Sequence, residues 1–501
     1  MDRYRMLPSY RYYDVEGTSP LTLEKSVGKP LRDYKIYGNS IQDGTPSPDN
    51  PIEIQSCGDK SKNLLDISSL VHYDNSSNVR TTKTDNNLVV HSSESQTYVY
   101  IPSDKSKKGL FDRLKPSTTY RLKYSSRYLE GEPTPSQSRI IFVNSSFVAK
   151  LTFYIAKPIT VGQIVTINTT FKTPADMSEY DQILIYGAYG NGSRTEIIDW
   201  IVTEETETVE PYEPYGYKIP IEVGGKNLLD MSKVTNGYLN QTGAIITPSP
   251  EYRVTDFIDV SNMSNITINA AKSYAFYDEN KTFISGEVKS LTIFRSYAVP
   301  ANAKYIRFDW QPANSNNIVY AVAGSYTEDT CPPYEPYKEP IKTNVYLDEP
   351  LYKIGDYADY IDFKSGKVVR NITKISINGT EEWVANTTKT LTQVFAQLTL
   401  KPHNGKPLAC CSNRFIADNP GDSEKVAILQ DLFIAVNKTR ASTVDEFKEW
   451  LSANPTEIFY TPVTPTETPI TLPTIPTHKD TNVISVGTEI PPSNMQIQYY
   501  K

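Results

Sequence analysis

An all-β chain built from tandem antiparallel β-sandwiches is what this sequence predicts, and three observations carry that reading. Pro (35) outnumbers Gly (24), and 36 Tyr, 16 Phe and 4 Trp give more aromatic surface than a disordered chain holds, while long Ala/Leu/Glu/Lys tracts are missing. Short segments rich in Val, Ile, Tyr, Phe and Thr recur between Gly, Pro, Asn and Ser breakers. One opening and one closing signature each occur twice, which divides the chain into repeated modules.

The opening is Pro51-Ile52-Glu53-Ile54, Gly58 and Lys62-Asn63-Leu64-Leu65-Asp66, and it returns as Pro220-Ile221-Glu222-Val223, Gly224-Gly225 and Lys226-Asn227-Leu228-Leu229-Asp230. The closing is Pro211-Tyr212-Glu213-Pro214-Tyr215, then Pro333-Tyr334-Glu335-Pro336-Tyr337. A length of 501 residues gives a prior of about three domains, and the repeat refines it to four segments. These are an N-terminal β attachment segment (1–58), module one (59–217), module two (218–341) and a β-rich C-terminal domain (342–501). Asn63 to Asn227 is 164 residues and Tyr215 to Tyr337 is 122, so module one carries about 42 residues that module two lacks. Alignment from the closings sets Leu184 and Tyr186 opposite Ile306 and Phe308, and Ile197–Val202 opposite Val319–Ala323.

Within the modules, strands are expected at Thr119–Tyr124, Arg139–Val143, Ile164–Phe171, Gln182–Tyr186, Asn265–Ala270 and Tyr305–Trp310. In the last of these, Ile306, Phe308 and Trp310 share one face and Tyr305, Arg307 and Asp309 the other, the alternation of a half-buried strand. Trp310, Trp200 and Trp450 read as core residues. The Pro-Tyr-Glu-Pro-Tyr joints cannot continue a helix, since Pro lacks the N–H and pushes its predecessor toward extended backbone, so they read as semi-rigid spacers.

In the C-terminal domain, Tyr360–Phe363, a Lys364-Ser365-Gly366-Lys367 turn and Val368–Ile372 form a hairpin pattern. One or two short helices are expected there. Ser423–Val436 has mixed character, whereas Thr443-Val444-Asp445-Glu446 has capping-box spacing, and Val444, Phe447, Trp450 and Leu451 line one face of a helix over 444–453 that Asn454-Pro455 stops. Strands at Asn482–Val486 and Met495–Tyr500 follow a Pro/Thr-rich connector over Tyr460–Pro476.

Net charge is −7 and sequence pI about 5.4, with no Lys/Arg block able to neutralise a run of phosphates, so nucleic acid is not the expected partner. Cys57, Cys331, Cys410 and Cys411 have no zinc-site or disulfide-framework spacing. Neither a signal-peptide core nor an apolar run of about 18 residues occurs, so the reading is neither exported by a standard signal nor membrane-inserted. His72, His91, His403 and His478 are far apart and read as isolated loop residues, with no metal or other cofactor expected. No G-x-S-x-G, H-E-x-x-H, phosphate-loop or dinucleotide pattern is present, and the reading is non-enzymatic, with no catalytic residue nominated. A carboxylate pair for glycoside hydrolysis stays open among 58 acidic residues. Asp356, Asp359 and Asp362, which alternate with Tyr, read as exposed strand acids that protect an edge. Asn-x-Ser/Thr triplets at Asn75, Asn144, Asn168, Asn191, Asn371 and Asn437 reflect composition.

Sugar binding needs flat rings that stack on C–H faces beside Asp, Asn or Arg that bond hydroxyls, and Tyr305, Arg307 and Asp309 make such a set on the expected outer face. Ile183, Ile185 and Gly187 stand at the aligned positions of module one, where the set is absent. The competing reading is a plain solvated strand face.

Several strings resemble a known group. Pro20-Leu21-Thr22-Leu23, Tyr34–Ser40, Gln42–Ile54, the Lys-Asn-Leu-Leu-Asp openings, the Tyr-Glu-Pro-Tyr closings, Asp356–Asp362 with its Ser365-Gly366-Lys367 turn, and Val483–Val486 to Pro492–Met495 are similar to modules of tail, baseplate and minor structural proteins of tailed phages and prophages of Gram-positive bacteria. The resemblance touches most of the chain. It implies jelly-roll, carbohydrate-binding-module-like sandwiches in a virion tail part made in the host cytoplasm. It also implies other tail proteins and a host cell-surface glycan as partners, and a homo-oligomer, a trimer by the usual symmetry of fibre-like tail parts. A tail depolymerase or glycosidase and a bacterial surface adhesin are the rival readings.

Overall fold

The computed structural model describes residues 21–28, 30, 34–67, 71–72, 79–83, 87–92, 98–101, 109–130, 139–144, 146, 148–154, 160–180, 182–186, 193–207, 212–261, 263–314, 318–385, 393–399, 409–418, 424–428, 431–487 and 495–499. Of the residues named above, Pro20, Asn75, Gly187, Asn191, Pro211, His403, Ser423, Pro492–Asn494 and Tyr500 lie outside them. The chain is all-β with one α-helix among the described residues. It forms two compact units, one of residues 59–218 with 346–349, the other of 1–58, 219–345 and 350–501.

The first unit contains module one and is a two-sheet antiparallel sandwich. One sheet has the spatial order Ile164–Lys172, Thr119–Glu130, Ser193–Glu204, Asn87–Ser92, Val79–Lys83, and the other Ala149–Tyr154, Arg139–Val143, Gln182–Tyr186, Tyr98–Ile101, Val71–His72. Alternation builds it: along Thr119–Glu130, Tyr120, Leu122, Tyr124 and Tyr128 are fully buried while Arg121, Lys123 and Arg127 are only half-buried. These rings meet Ile140, Phe142 and Ile183 of the opposite sheet, with Trp200 and Val202, in one core. Ile183 joins that core, as Ile306 does in module two, and Leu184 is buried as well.

Module two sits in the second unit. One sheet runs Thr235–Asn236, Arg253–Val254, Tyr305–Trp310, Asn265–Tyr277, Phe283–Ala298, and Ile258–Asp259 and Ala321–Ala323 also pair within it. Register shifts between Ile268 and Ser273 let the long strand bend, so its first half pairs with Ala321–Ala323 and its second half with Tyr305–Asp309. Ile266, Ile268, Phe276, Ile306, Phe308 and Trp310 are buried together inside the curve.

The N-terminal and C-terminal regions interleave in the same unit. Tyr34–Tyr37 lies between Tyr360–Asp362 and Gln496–Tyr499, and Lys479–Val486 lies between Leu21–Val27 and Tyr217–Gly224. The hairpin of Tyr360–Asp362 with Lys367–Arg370 forms as its turn signal predicts. The helix spans Val444–Ala453, with Thr443 Oγ1 accepting from Glu446 N at 3.2 Å. Its Glu446 carboxylate accepts from Ser442 N at 2.6 Å and from the backbone N–H of the cap residue Thr443. Phe447 and Leu451 are buried against Trp383, Phe415 and Ile458, and Val444 and Trp450 flank them half-buried.

Ser423–Val436 is not helical where described. Lys425–Ile428 and Asp431–Asn437 pair antiparallel, because Val426, Ile428, Leu432, Ile434 and Val436 alternate into the core at two-residue spacing and are β-branched or bulky.

Candidate contact face and the module clasp

Strand Tyr305–Trp310 buries one face fully and the other in part. Ile306, Phe308 and Trp310 enter the module core as expected, but the opposite face is roofed by the stretch from Tyr238 to Ile258. There Leu239, Val254, Ala275 and Tyr277 form a small second core, against which Ile245, Phe257 and Tyr305 pack. The hairpin of Tyr238–Leu239 with Ile245–Ile246 turns at Asn240-Gln241-Thr242-Gly243, whose Asn240 Oδ1 accepts from Thr242 N and Ala244 N. That turn was the available sequence signal for the roof.

Asp309 is therefore not on an outer face: it is 0 % exposed, and its Oδ2 accepts from Leu239 N at 2.7 Å, pinning the roof to the strand. Burial raises its carboxyl above the usual range, against the pull of the Leu239 and Ser273 hydrogen bonds and the Lys272 charge. Arg307 donates through Nε to Thr255 O at 2.8 Å, and its guanidinium lies 4.5 Å from the Phe257 ring centroid. Tyr305 stands edge-on to Phe257 at 5.6 Å and is half-buried. Of the predicted set, then, Tyr305 and Arg307 stay partly accessible and Asp309 does not.

What these two residues join is an edge of rings and cations. Phe257 touches Tyr277 (5.0 Å between ring centroids), Tyr277 touches Phe283 (6.3 Å), and Lys281 Nζ lies 4.8 Å from the Phe257 centroid. Phe283 is 36 % exposed. Half-exposed rings beside guanidinium and ammonium groups suit stacking on sugar C–H faces with charge-assisted bonds to hydroxyls or acidic substituents.

Asp359, read as an exposed strand acid, is also 0 % exposed. Its Oδ1 accepts from Asn371 N (2.8 Å) and Ile372 N (3.0 Å), and its Oδ2 from Tyr352 N (3.1 Å) and Arg370 Nη1 (3.1 Å). Burial raises its carboxyl, and Arg370 and the backbone donors oppose that without cancelling it. With all partners internal, it is a structural group. Burial likewise raises the thiols of Cys410, to about 11, and Cys411, to about 12. No group of three metal-ligating side chains occurs among the described residues, and no described helix is long and apolar enough to cross a membrane.

The repeated signatures meet in space. In module one, Asn63 Oδ1 accepts from Leu65 N (3.0 Å) and Val202 N (3.1 Å), while Nδ2 donates to Trp200 O (3.2 Å) and Glu213 O (3.1 Å). In module two, Asn227 Oδ1 accepts from Leu229 N (3.0 Å) and Ala321 N (3.4 Å), and Nδ2 donates to Glu335 O (3.0 Å). Leu64 N to Val202 O and Leu228 N to Ala321 O, both 2.8 Å, complete the match. Val202 is thus equivalent to Ala321, three residues from where the closings alone align it. The closings are also held by side chains: Arg113 stacks over Tyr215 at 3.9 Å and Lys226 bonds Glu335 at 2.9 Å, each within its own module, and Lys218, just past the first closing, bonds Glu213 at 2.8 Å.

No family model matches the chain. A segment of 128 residues is 33% identical to a protein described as "Tail fiber protein" of Enterococcus phage phiEF24C, a match that takes in 24% of this chain and 7% of the relative. The chain therefore spans only a small part of that relative's length, and the similarity is to a phage tail component. Among solved structures, the N-terminal CBM22-1-CBM22-2 tandem domain of Paenibacillus barcinonensis Xyn10C aligns with 54% of this chain and 98% of its own, at 10% identity and a TM-score of 0.20. A score that low carries no argument about fold or ligand.

Proposed function

We propose that this chain is a non-enzymatic structural part of a phage tail tip or baseplate that helps the virion attach to its host through its β-sandwich modules. The observation that carries this reading is the segment shared with a phage tail fiber protein. Two modules closed by the same buried Asn clasp suit a part that holds its surfaces in fixed shape, and the half-exposed edge of Phe257, Phe283, Tyr305, Lys281 and Arg307 suits a shallow contact with a host cell-surface glycan. Other tail proteins are its expected neighbours in the virion. Several copies per particle turn weak contacts of this kind into useful avidity without a deep pocket.

The test is binding of the purified chain to host cells and to isolated cell-wall polysaccharide, with reducing-end release followed in the same samples. Binding that falls at least several-fold in Tyr305→Ala combined with Phe283→Ala, without release of sugar, is the expected result. Sustained release would replace this reading with a tail depolymerase. Detection on uninfected cells, and not in purified particles, would replace it with an adhesin.

A further inference from the structure

We infer that module one pairs with a second copy of this chain, edge to edge, through strand Ile164–Lys172. Among the described residues the strand ends its sheet, and its other side pairs with Thr119–Arg127 in nine consecutive steps without a bulge. Native edges are usually blunted by Pro, bulges, shortness or charges, and this one carries a single charge, Lys172 at its very end. The neighbouring sheet also ends on this side, with Ala149–Tyr154, since Phe153 packs on Phe171 across the seam (5.8 Å).

The core is open along that seam. Leu151, Phe153, Val165 and Ile167 pack on the module core but are only half-buried. An apolar seam between two strands that end their sheets among the described residues is what a subunit contact covers.

A second copy fits for a reason of register. Thr173 N donates to Thr118 O, so by alternation the outward N–H and C=O groups of this edge belong to Ile164, Thr166, Asn168, Thr170 and Lys172. A two-fold axis beside Asn168 sets each of these against another of the same set: Asn168 faces itself, Thr166 faces Thr170 and Ile164 faces Lys172. Every outward group then finds a partner, Thr–Thr and Asn–Asn pairs line the exposed face, and Val165 meets Phe171 on the core side. The two five-stranded sheets become one of ten.

The experiment is sedimentation equilibrium on the full chain, with hydrogen exchange at the edge. The expected result is a concentration-dependent self-association in which the amides of Thr166, Asn168 and Thr170 become protected as the chain associates. Asn168 is exposed, so Asn168→Lys places two like charges on the axis without entering the core, and it should weaken the association on the order of a hundredfold, with unfolding followed in parallel because Lys123 stands opposite it in the sheet. Should that variant unfold early, Thr166→Lys is the substitute. Conversely, Asn168→Cys should cross-link to a dimer on oxidation. A full chain that stays monomeric at every concentration, or an association that neither lysine variant weakens, overturns the proposal.

Discussion

The side-chain amide of Asn63 donates to the carbonyl of Glu213 at 3.1 Å, joining two points 150 residues apart. The opening signature of module one is thereby fastened to its closing one, and Asn227 does the same for module two at Glu335. Each Asn is buried (0% and 3% exposed), so both its amide and the backbone groups it serves depend on the contact.

Asn63→Ala and Asn227→Ala should therefore each cost about 2–4 kcal/mol, since several buried backbone groups lose their partner at roughly 1–3 kcal/mol apiece with partial relief by water. Denaturant unfolding followed by hydrogen exchange checks this. Loss of protection should appear in 59–218 for the first variant and in module two for the second.

Asp309 separates a structural role from a binding one. Its folded carboxyl sits above the ordinary value of 3.8 because of burial, so the folded state holds that proton more tightly than the unfolded chain, and the group opposes folding increasingly as pH rises through that window. Asp309→Asn keeps an acceptor for Leu239 N and removes the buried charge, so at neutral pH it should leave stability unchanged or raise it, with the difference from wild type vanishing below about pH 4. Asp309→Leu, which orphans the Leu239 N–H, should lower stability by about 1–3 kcal/mol. Thermal unfolding across pH measures both, and glycan binding should be unchanged in Asp309→Asn.

Local pattern made much of this fold readable. Arg139–Val143, Gln182–Tyr186, Tyr305–Trp310 and the helix Val444–Ala453 have the bounds their sequences predict, because short β-branched and aromatic runs, alternation in Tyr305–Trp310 and a Thr-x-x-Glu cap act within a few residues. The repeated Asn also announced itself, though its partners did not. What stayed hidden depends on chain beyond the strand itself. Asp309 is covered by Leu239, 70 residues away, and Asp359 by a carboxylate cage completed at Arg370, Asn371 and Ile372, so strand alternation alone marked both as solvent-facing. Val426 to Val436 carries an apolar density that suits a buried helix or a buried hairpin equally, and only its place beside Gln393–Thr399 decides for strands.

The adjacent thiols of Cys410 and Cys411 should resist modification. Burial lifts them to about 11 and about 12, so at pH 7.5 the thiolate fraction is negligible, and iodoacetamide should label neither in the native chain while labelling both after unfolding. Mass spectrometry of labelled peptides reads this directly, and native labelling at either position would mean that strand Cys410–Ser412 opens readily from its pairing with Thr456–Tyr460.

Glu335 makes the module-two clasp sensitive to acid. Burial works against its charge, but the Thr481 hydroxyl at 2.6 Å, Lys226 at 2.9 Å and Lys338 at 3.3 Å outweigh it and hold the carboxyl down to about 2, from an ordinary 4.5. A depressed carboxyl adds stability that is fully present above its unfolded value and disappears as pH falls from about 4.5 toward 2. Lys338 also donates to Lys479 O (2.7 Å) and Thr481 O (3.0 Å), so protonating Glu335 leaves two ammonium groups facing each other beside the strand Lys479–Val486. Glu335→Gln should lower stability at pH 7 by on the order of 1–3 kcal/mol and flatten the acid limb between pH 4.5 and 2. In module one Glu213 bonds Lys218 alone among these lysines, so Glu213→Gln should be milder. Urea midpoints at a series of pH values compare the two, and an acid limb equally steep in wild type and Glu335→Gln would assign the acid sensitivity to other carboxylates.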